Sequence, residues 1–207
     1  MTRPLDLEAE FGPIDIYLFD QLLKGRTRPG MRILDAGCGQ GRNLVHLLRQ
    51  GHEVFGIDES APAIDAVRRL AARLRPELPT ENFRHEAVEA STFAPGSMDV
   101  VLSSAVLHFA RDTAHFDAML AGAWRLLAPG GLFFCRLASS IGMEERFEPL
   151  GKERYRLLDG SVRYLVDEER LLALTDSLGG ELLDPIKTTV VQSLRCMTTW
   201  VVRKRAD

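Results

Sequence analysis

The residues best placed to hold a ligand are an acid at the end of an apolar run and three glycines on alternate positions after it. They stand in Ile33-Leu34-Asp35-Ala36-Gly37-Cys38-Gly39-Gln40-Gly41-Arg42-Asn43. The apolar residues read as a buried strand, and Gly37, Gly39 and Gly41 as a turn that opens a helix. Without Cβ atoms the chain there can take positive φ and let a ligand touch backbone. The spacing is GxGxG, and Arg42 stands where a dinucleotide-binding GxGxxG would place its last glycine. A carboxylate at the loop entrance, Asp35, repels a pyrophosphate and suits a ligand that carries an ammonium and a sulfonium. Further along, Val54-Phe55-Gly56-Ile57-Asp58 reads as a second strand ending in an acid. That lies about the ~20 residues downstream at which a carboxylate accepts ribose hydroxyls, and Asp58 is assigned that task.

Two more stretches extend the series. Met98-Asp99-Val100-Val101-Leu102-Ser103-Ser104 reads as a fourth strand, and Leu126-Leu127-Ala128-Pro129-Gly130-Gly131-Leu132-Phe133-Phe134 as a helix end, a turn and a fifth strand. In this order and spacing, the four elements resemble the class I S-adenosylmethionine-dependent methyltransferases, from about residue 30 to the C-terminus. Within that superfamily, the glycine turn and the run Gly51 to Ser60 are most similar to the TehB-like and other small-molecule enzymes. The resemblance implies an α/β fold, a Rossmann-like doubly wound sheet of seven strands, mostly parallel, that ends in an antiparallel hairpin. It also implies S-adenosyl-L-methionine as cofactor. Backbone at Ala36, Gly37 and Gly39 would hold the methionine end, with Asp35 acting on its ammonium. Asp58 would hold the ribose, and adenine would lie near Ala87 and Val88, with Glu86 or Glu89 as the acid of that loop. Ser103 and Ser104, at the carboxyl end of the fourth strand, would face the sulfonium.

Composition sets bounds on the partner. The 207 residues suit a single domain with a full core, and 45% hydrophobic content is ordinary for a globular chain. A formal charge of -3 gives no footprint for a polyanion, so nucleic acid is an unlikely partner. The first residues lack the apolar core of a signal peptide, and no apolar run reaches the ~18 residues of a membrane span. A cytoplasmic protein is therefore expected. Cys38, Cys135 and Cys196 are scattered and odd in number, which reads as structural thiols in a reducing compartment, and no zinc spacing is present.

Apolar residues at helical spacing predict a helix over 13–24, part of a helical cap expected over 1–28. Further helices are expected over 43–50, over 61–74 after a cap at Ser60, over 114–127 and over 167–178, with a short strand at Phe83-Arg84-His85. Residues 138–166 lose periodicity and gather glycines among charges, and are expected to form an insertion, or lid, over the active site. The β-rich runs 188–192 and 196–202 predict the closing hairpin.

Transfer of a methyl group is a displacement in which the sulfonium already leaves readily, so the protein mainly orients its ligands and excludes water. A general base is needed only for a protonated nucleophile. His108, just after the fourth strand, is the candidate base, the alternative being a pocket histidine bonded to backbone. Tyr17, on the first helix, is a second catalytic candidate that would close over the cofactor. Arg136, Arg163 and Arg195 border the expected pocket and would receive an anionic small molecule. After the fourth strand, Leu102-Ser103-Ser104-Ala105 replaces the Asp/Asn-Pro-Pro-aromatic run of amide-nitrogen methyltransferases, and no Pro-Cys nucleophile occurs. A small-molecule methyltransferase leads the expectations; a protein or RNA methyltransferase and a non-catalytic cofactor-binding module are the alternatives.

Overall fold

The computed structural model describes residues 6–206. Residues 1–5 of the expected cap therefore lie outside the described residues. Five parallel strands form the heart of the sheet: β1 (Arg32–Ala36), β2 (Glu53–Asp58), β3 (Phe83–His85), β4 (Met98–Ser104) and β5 (Leu127–Ser139). The last strand, β11 (Arg195–Lys204), runs antiparallel to β5 and carries β10 (Lys187–Val191) on its outer edge, so the order is β10-β11-β5-β4-β1-β2-β3. These are the seven expected strands and the expected hairpin. An eighth, β9 (Gly180–Leu182), pairs with the far end of β11, and sequence patterning does not reveal it because three residues are too short to show alternation.

Alternation along the strands sends neighbouring residues to opposite faces, and each face has its own helices. Ile33, Val54, Val100 and Leu102 pack with Leu18, Leu47, Leu48, Ile64 and Val67, which come from α2 (Ile16–Leu23), α3 (Val45–Arg49) and α4 (Ala61–Leu74). Leu34, Phe55, Val101 and Phe133 pack with Phe116, Leu120, Ala123 and Leu171, from α5 (Thr113–Leu126) and α6 (Glu168–Ser177). The result is the doubly wound arrangement. Local signals set the helix starts: Ser60, Asp112 and Asp167 each accept a backbone N–H of the first turn. Trp200 is fully buried, its Nε1 donating to Thr175 Oγ1 at 2.9 Å, so it serves sheet packing.

Three expected elements differ in detail. The helix over 13–24 contracts to α2, which Asp15 starts by accepting from the Tyr17 N–H, and a separate short helix, α1 (Leu7–Phe11), precedes it and ends at Gly12 with φ 63. The helix over 43–50 contracts to α3. Of the insertion, Ala138 and Ser139 belong to β5, and most of the remainder is ordered as a small antiparallel sheet of β6 (Glu148–Gly151), β7 (Arg154–Arg156) and β8 (Val162–Tyr164). Its strands hold three or four residues each, and Phe147, Leu157 and Leu165 bury themselves with Met143 and with Cys196 and Met197 of β11. Such a core draws on residues distant in sequence, which a periodicity search cannot find.

Candidate active site

The strand order reverses between β1 and β4, and the crevice at their carboxyl ends is where open α/β sheets bind ligands. A cavity of about 320 Å³ opens there, lined by Gly37, Asp58, Glu86, Val88, Glu89 and Ala105 among others. Gly37 has φ 82, and a Cβ on it would lie 2.3 Å from Val106 Cγ2, so the turn closes only with glycine. Gly39 also has positive φ but faces open space, with room for a ligand against its backbone. Its N–H donates to Asp58 Oδ2 at 2.9 Å, and the Ser60 N–H donates to Oδ1 at 2.9 Å. Asp58 is thus fixed at the tip of β2 by two amides, each oxygen retaining a lone pair for a further donor.

Asp35 is 1% exposed, and its Oδ1 has no hydrogen-bond partner. Burial pushes its pKa up to about 7; the Arg42 charge opposes this and the Asp58 charge adds to it. Asp35 does not line the cavity itself but lies behind the glycine turn that does, and a carboxylate with an orphaned oxygen there, with a second acid at the tip of the next strand, fits a ligand with a cationic head and a ribose. On the far wall, Glu89 accepts from His115 Nε2 at 3.0 Å, and Glu86 accepts from the Thr92 N–H and hydroxyl at 2.9 and 2.5 Å. Both glutamates line the cavity. Val88 lines it too, while Ala87 supports it as the residue before the short 3₁₀ turn Val88–Ala90. That turn lies on α5 at Gly122, where a Cβ would stand 2.6 Å from the Val88 carbonyl oxygen. Gly122→Ala is expected to lower stability by about 1–3 kcal/mol through overpacking, measured by urea unfolding.

A second cavity, of about 430 Å³, adjoins the first at Ala105 and Phe109, which line both. Ala105 has φ 64, unusual for a residue with a Cβ, and its N–H donates to the Arg136 carbonyl at 2.7 Å. Arg42, Arg136, Arg163 and Arg195 all line this cavity, with Ser104 and His108. Arg136 Nη1 reaches Asp15 Oδ2 at 3.2 Å, and Arg42 Nη2 reaches the same oxygen at 3.7 Å and Ser104 Oγ at 3.0 Å. Ser104 donates in turn to Asp15 at 3.1 Å, and the Asp15 N–H donates to Asn43 Oδ1 at 3.0 Å. Asp15, 4% exposed, therefore joins the start of α2, the glycine turn, β4 and two cavity arginines. Sequence reading passed over it, although an acid three residues before Leu18 is a helix-start signal.

The remaining candidates fall in different places. Ser103 is 1% exposed and lines neither cavity, since adjacent strand residues point to opposite faces; the position expected of it beside the sulfonium is not where its side chain goes. Tyr17 bonds Thr189 through its hydroxyl and lies under the Arg136 guanidinium, 5.0 Å from ring centroid to Cζ, so it props the arginine cavity and is not a wall of the first. His108 is 5% exposed, and its Nδ1 accepts from the Ala138 N–H at 2.9 Å. Burial, with Arg163, Arg136 and Arg195 nearby, holds its pKa down to about 3. The neutral ring then carries its proton on Nε2, the tautomer of a donor and not of a base.

Comparison with known proteins agrees with this fold. Residues 33–131 match a family model described as a methyltransferase domain. The ubiquinone biosynthesis O-methyltransferase of Methylocella silvestris is 37% identical over 128 residues, covering 62% of this chain and 48% of that protein. The tRNA 5-carboxymethoxyuridine methyltransferase of Escherichia coli is 28% identical over 125 residues, covering 60% and 46%. The chain thus matches about half the length of these curated relatives. A solved S-adenosylmethionine-dependent methyltransferase of Methanosarcina mazei superposes with TM-score 0.72 at 19% identity, covering 90% of this chain and 98% of that one. Sheet order, glycine turn and matches together show that this protein has the class I S-adenosylmethionine-dependent methyltransferase fold, with residues 33–131 similar to a methyltransferase domain.

Proposed function

We propose that the protein binds S-adenosyl-L-methionine in the first cavity and transfers its methyl group to a small anionic molecule in the second. The observation that carries this is the junction of the two cavities at Ala105 and Phe109, an acid-lined cleft on one side and an arginine-lined one on the other. The cofactor supplies a methyl group already activated by its sulfonium. The chain supplies position: Asp35 and the Ala36–Gly39 backbone for the methionine end, Asp58 for the ribose, and Val88 with the loop from Ala87 for adenine. Ser104 orients Arg42 at the mouth of the acceptor cavity. Tyr17 and His108 act as supports, the one under Arg136, the other as a neutral donor fixed by the Ala138 amide.

The insertion serves as the lid of this reading, because Leu157, Ser161 and Arg163 reach the acceptor cavity from it. Proteolysis between residues 140 and 166 should slow when S-adenosylhomocysteine and an acceptor are present; equal rates would remove the lid. A small acceptor rather than RNA is favoured by the net charge of -3. No helix among the described residues is long and apolar enough to cross a membrane. The buried free thiols suit the cytoplasm.

The test is calorimetry with S-adenosylhomocysteine and with NAD. The first should bind in the micromolar range and the second far more weakly; the opposite order would refute the proposal. Asp58→Ala should cost about 1.5–3 kcal/mol of that affinity, as charged hydrogen bonds are lost. Unchanged affinity would take Asp58 out of the ribose site.

A further inference from the structure

Among the described residues, the acceptor cavity offers one titratable side chain apart from its arginines, and that one is unsuited to take a proton. No described aspartate, glutamate, lysine, cysteine or tyrosine lines it, and the His108 Nδ1 is engaged by the Ala138 N–H. The acidic groups Glu86 and Glu89 line the cofactor cleft and are held there by Thr92 and His115. An acceptor in this cavity must therefore bring a nucleophile that needs no base, and four arginines in its lining select an ionised one.

The charges of the cavity narrow its identity. Arg42 and Arg136 share the single carboxylate of Asp15, and Arg195 pairs with Asp159 at 3.2 Å. Among the described residues, Arg163 meets no carboxylate; it donates to the Val162 carbonyl and lies over Phe109, with Cζ 4.7 Å from the ring centroid. Two of the four guanidinium charges are thus unbalanced by the protein, and the four come from separate elements: Arg42 from the glycine turn, Arg136 from β5, Arg163 from β8 of the insertion and Arg195 from β11. A monoanion would leave one of them unanswered.

Resting on the proposed methyltransferase function, we propose that the acceptor is a small dicarboxylate, methylated on one carboxylate oxygen while the other carboxylate is anchored by Arg163 and Arg195. A lone pair of the oxygen forms the new O–C bond as the C–S bond breaks and its electrons pass to sulfur. The sulfonium becomes a neutral thioether, the carboxylate becomes a neutral methyl ester, and no proton moves. No base is required. The monoester carries one charge fewer than the cavity is built for, which favours its release and disfavours a second methylation.

The experiment uses the full chain with S-adenosylmethionine tritiated in the methyl group. It is offered aromatic and aliphatic dicarboxylates, the matching monocarboxylates, and phenols, thiols and amines on the same skeletons. Expected is transfer to at least one dicarboxylate, with the label released as methanol by mild alkali, and at least about tenfold lower kcat/KM for the matching monocarboxylate. Label found only in alkali-stable products, or no transfer to any acid by protein that binds S-adenosylhomocysteine, overturns the dicarboxylate. Failure to bind S-adenosylhomocysteine would instead sink the methyltransferase function beneath it. Arg163→Gln should raise KM for the dicarboxylate about tenfold with little change in kcat; an unchanged KM overturns the anchoring role of Arg163.

Discussion

Asp15→Ala is expected to produce the largest loss of stability of any change near the site. Its side chain is 1% exposed and faces two guanidinium groups, of which Arg136 is 19% exposed and Arg42 46%. Removing one partner of a buried ion pair typically costs about 3–5 kcal/mol, because the other charge stays behind without compensation. Arg42 can turn to water, so Arg136 carries most of the penalty and the loss should fall near the lower end of that range. The change also removes the acceptor of the Ser104 hydroxyl and of the Tyr17 N–H, loosening α2 and the cavity mouth together. Urea unfolding measures the stability term, and a loss under 1 kcal/mol would show that Asp15 is not the junction its contacts describe.

Asp35 should give the largest pH effect. Its folded-state pKa of about 7 lies above the ordinary 3.8, so the fold favours the protonated acid. The contribution of Asp35 to the stability of the ligand-free protein is then greatest near pH 4 and below and declines as pH rises from about 4 to about 7, by up to about 4 kcal/mol. A bound ammonium reverses the preference by favouring the carboxylate. Affinity for S-adenosylmethionine should therefore rise up to about tenfold per pH unit between about pH 5.5 and 7 and level off above, with a proton released on binding below pH 7. Asp35→Asn tests both signs at once: at pH 8 the ligand-free variant should unfold at a higher temperature than the parent while binding the cofactor more weakly, without the pH slope. A variant that is less stable and still pH-dependent would move the titration elsewhere. Calorimetry across buffers of different ionisation enthalpy reads the proton directly.

The half of the candidate site proposed for the cofactor was built from local signals. Asp35, the glycine turn and Asp58 lie within one strand-turn-helix-strand unit, and the expected helix over 61–74 and strand over 83–85 have the observed bounds, the helix because Ser60 caps it and a proline stands in its first turn. The acceptor half was only partly legible. Arg136, Arg163 and Arg195 were singled out, yet Arg42 was seen only as an interruption of a glycine motif, and Asp15 not at all; both act through partners from 27 to 121 positions away. Ala105 carries no sequence signal for positive φ, which its bond to Arg136 enforces in three dimensions. Ser103 and Ser104 looked equivalent in sequence, and strand alternation separates them. The TehB-like likeness rested on the turn that serves the cofactor, a region that says nothing of what is methylated.

The most direct test of the two-cavity arrangement is a crystal structure with S-adenosylhomocysteine bound. The predicted result places the homocysteine ammonium near Asp35 and the Gly37–Gly39 backbone, both ribose hydroxyls on Asp58, and the sulfur at Ala105, facing the cavity lined by Arg42, Arg136, Arg163 and Arg195. A ligand whose sulfur points away from that cavity, or whose ribose is held by residues other than Asp58, would contradict it.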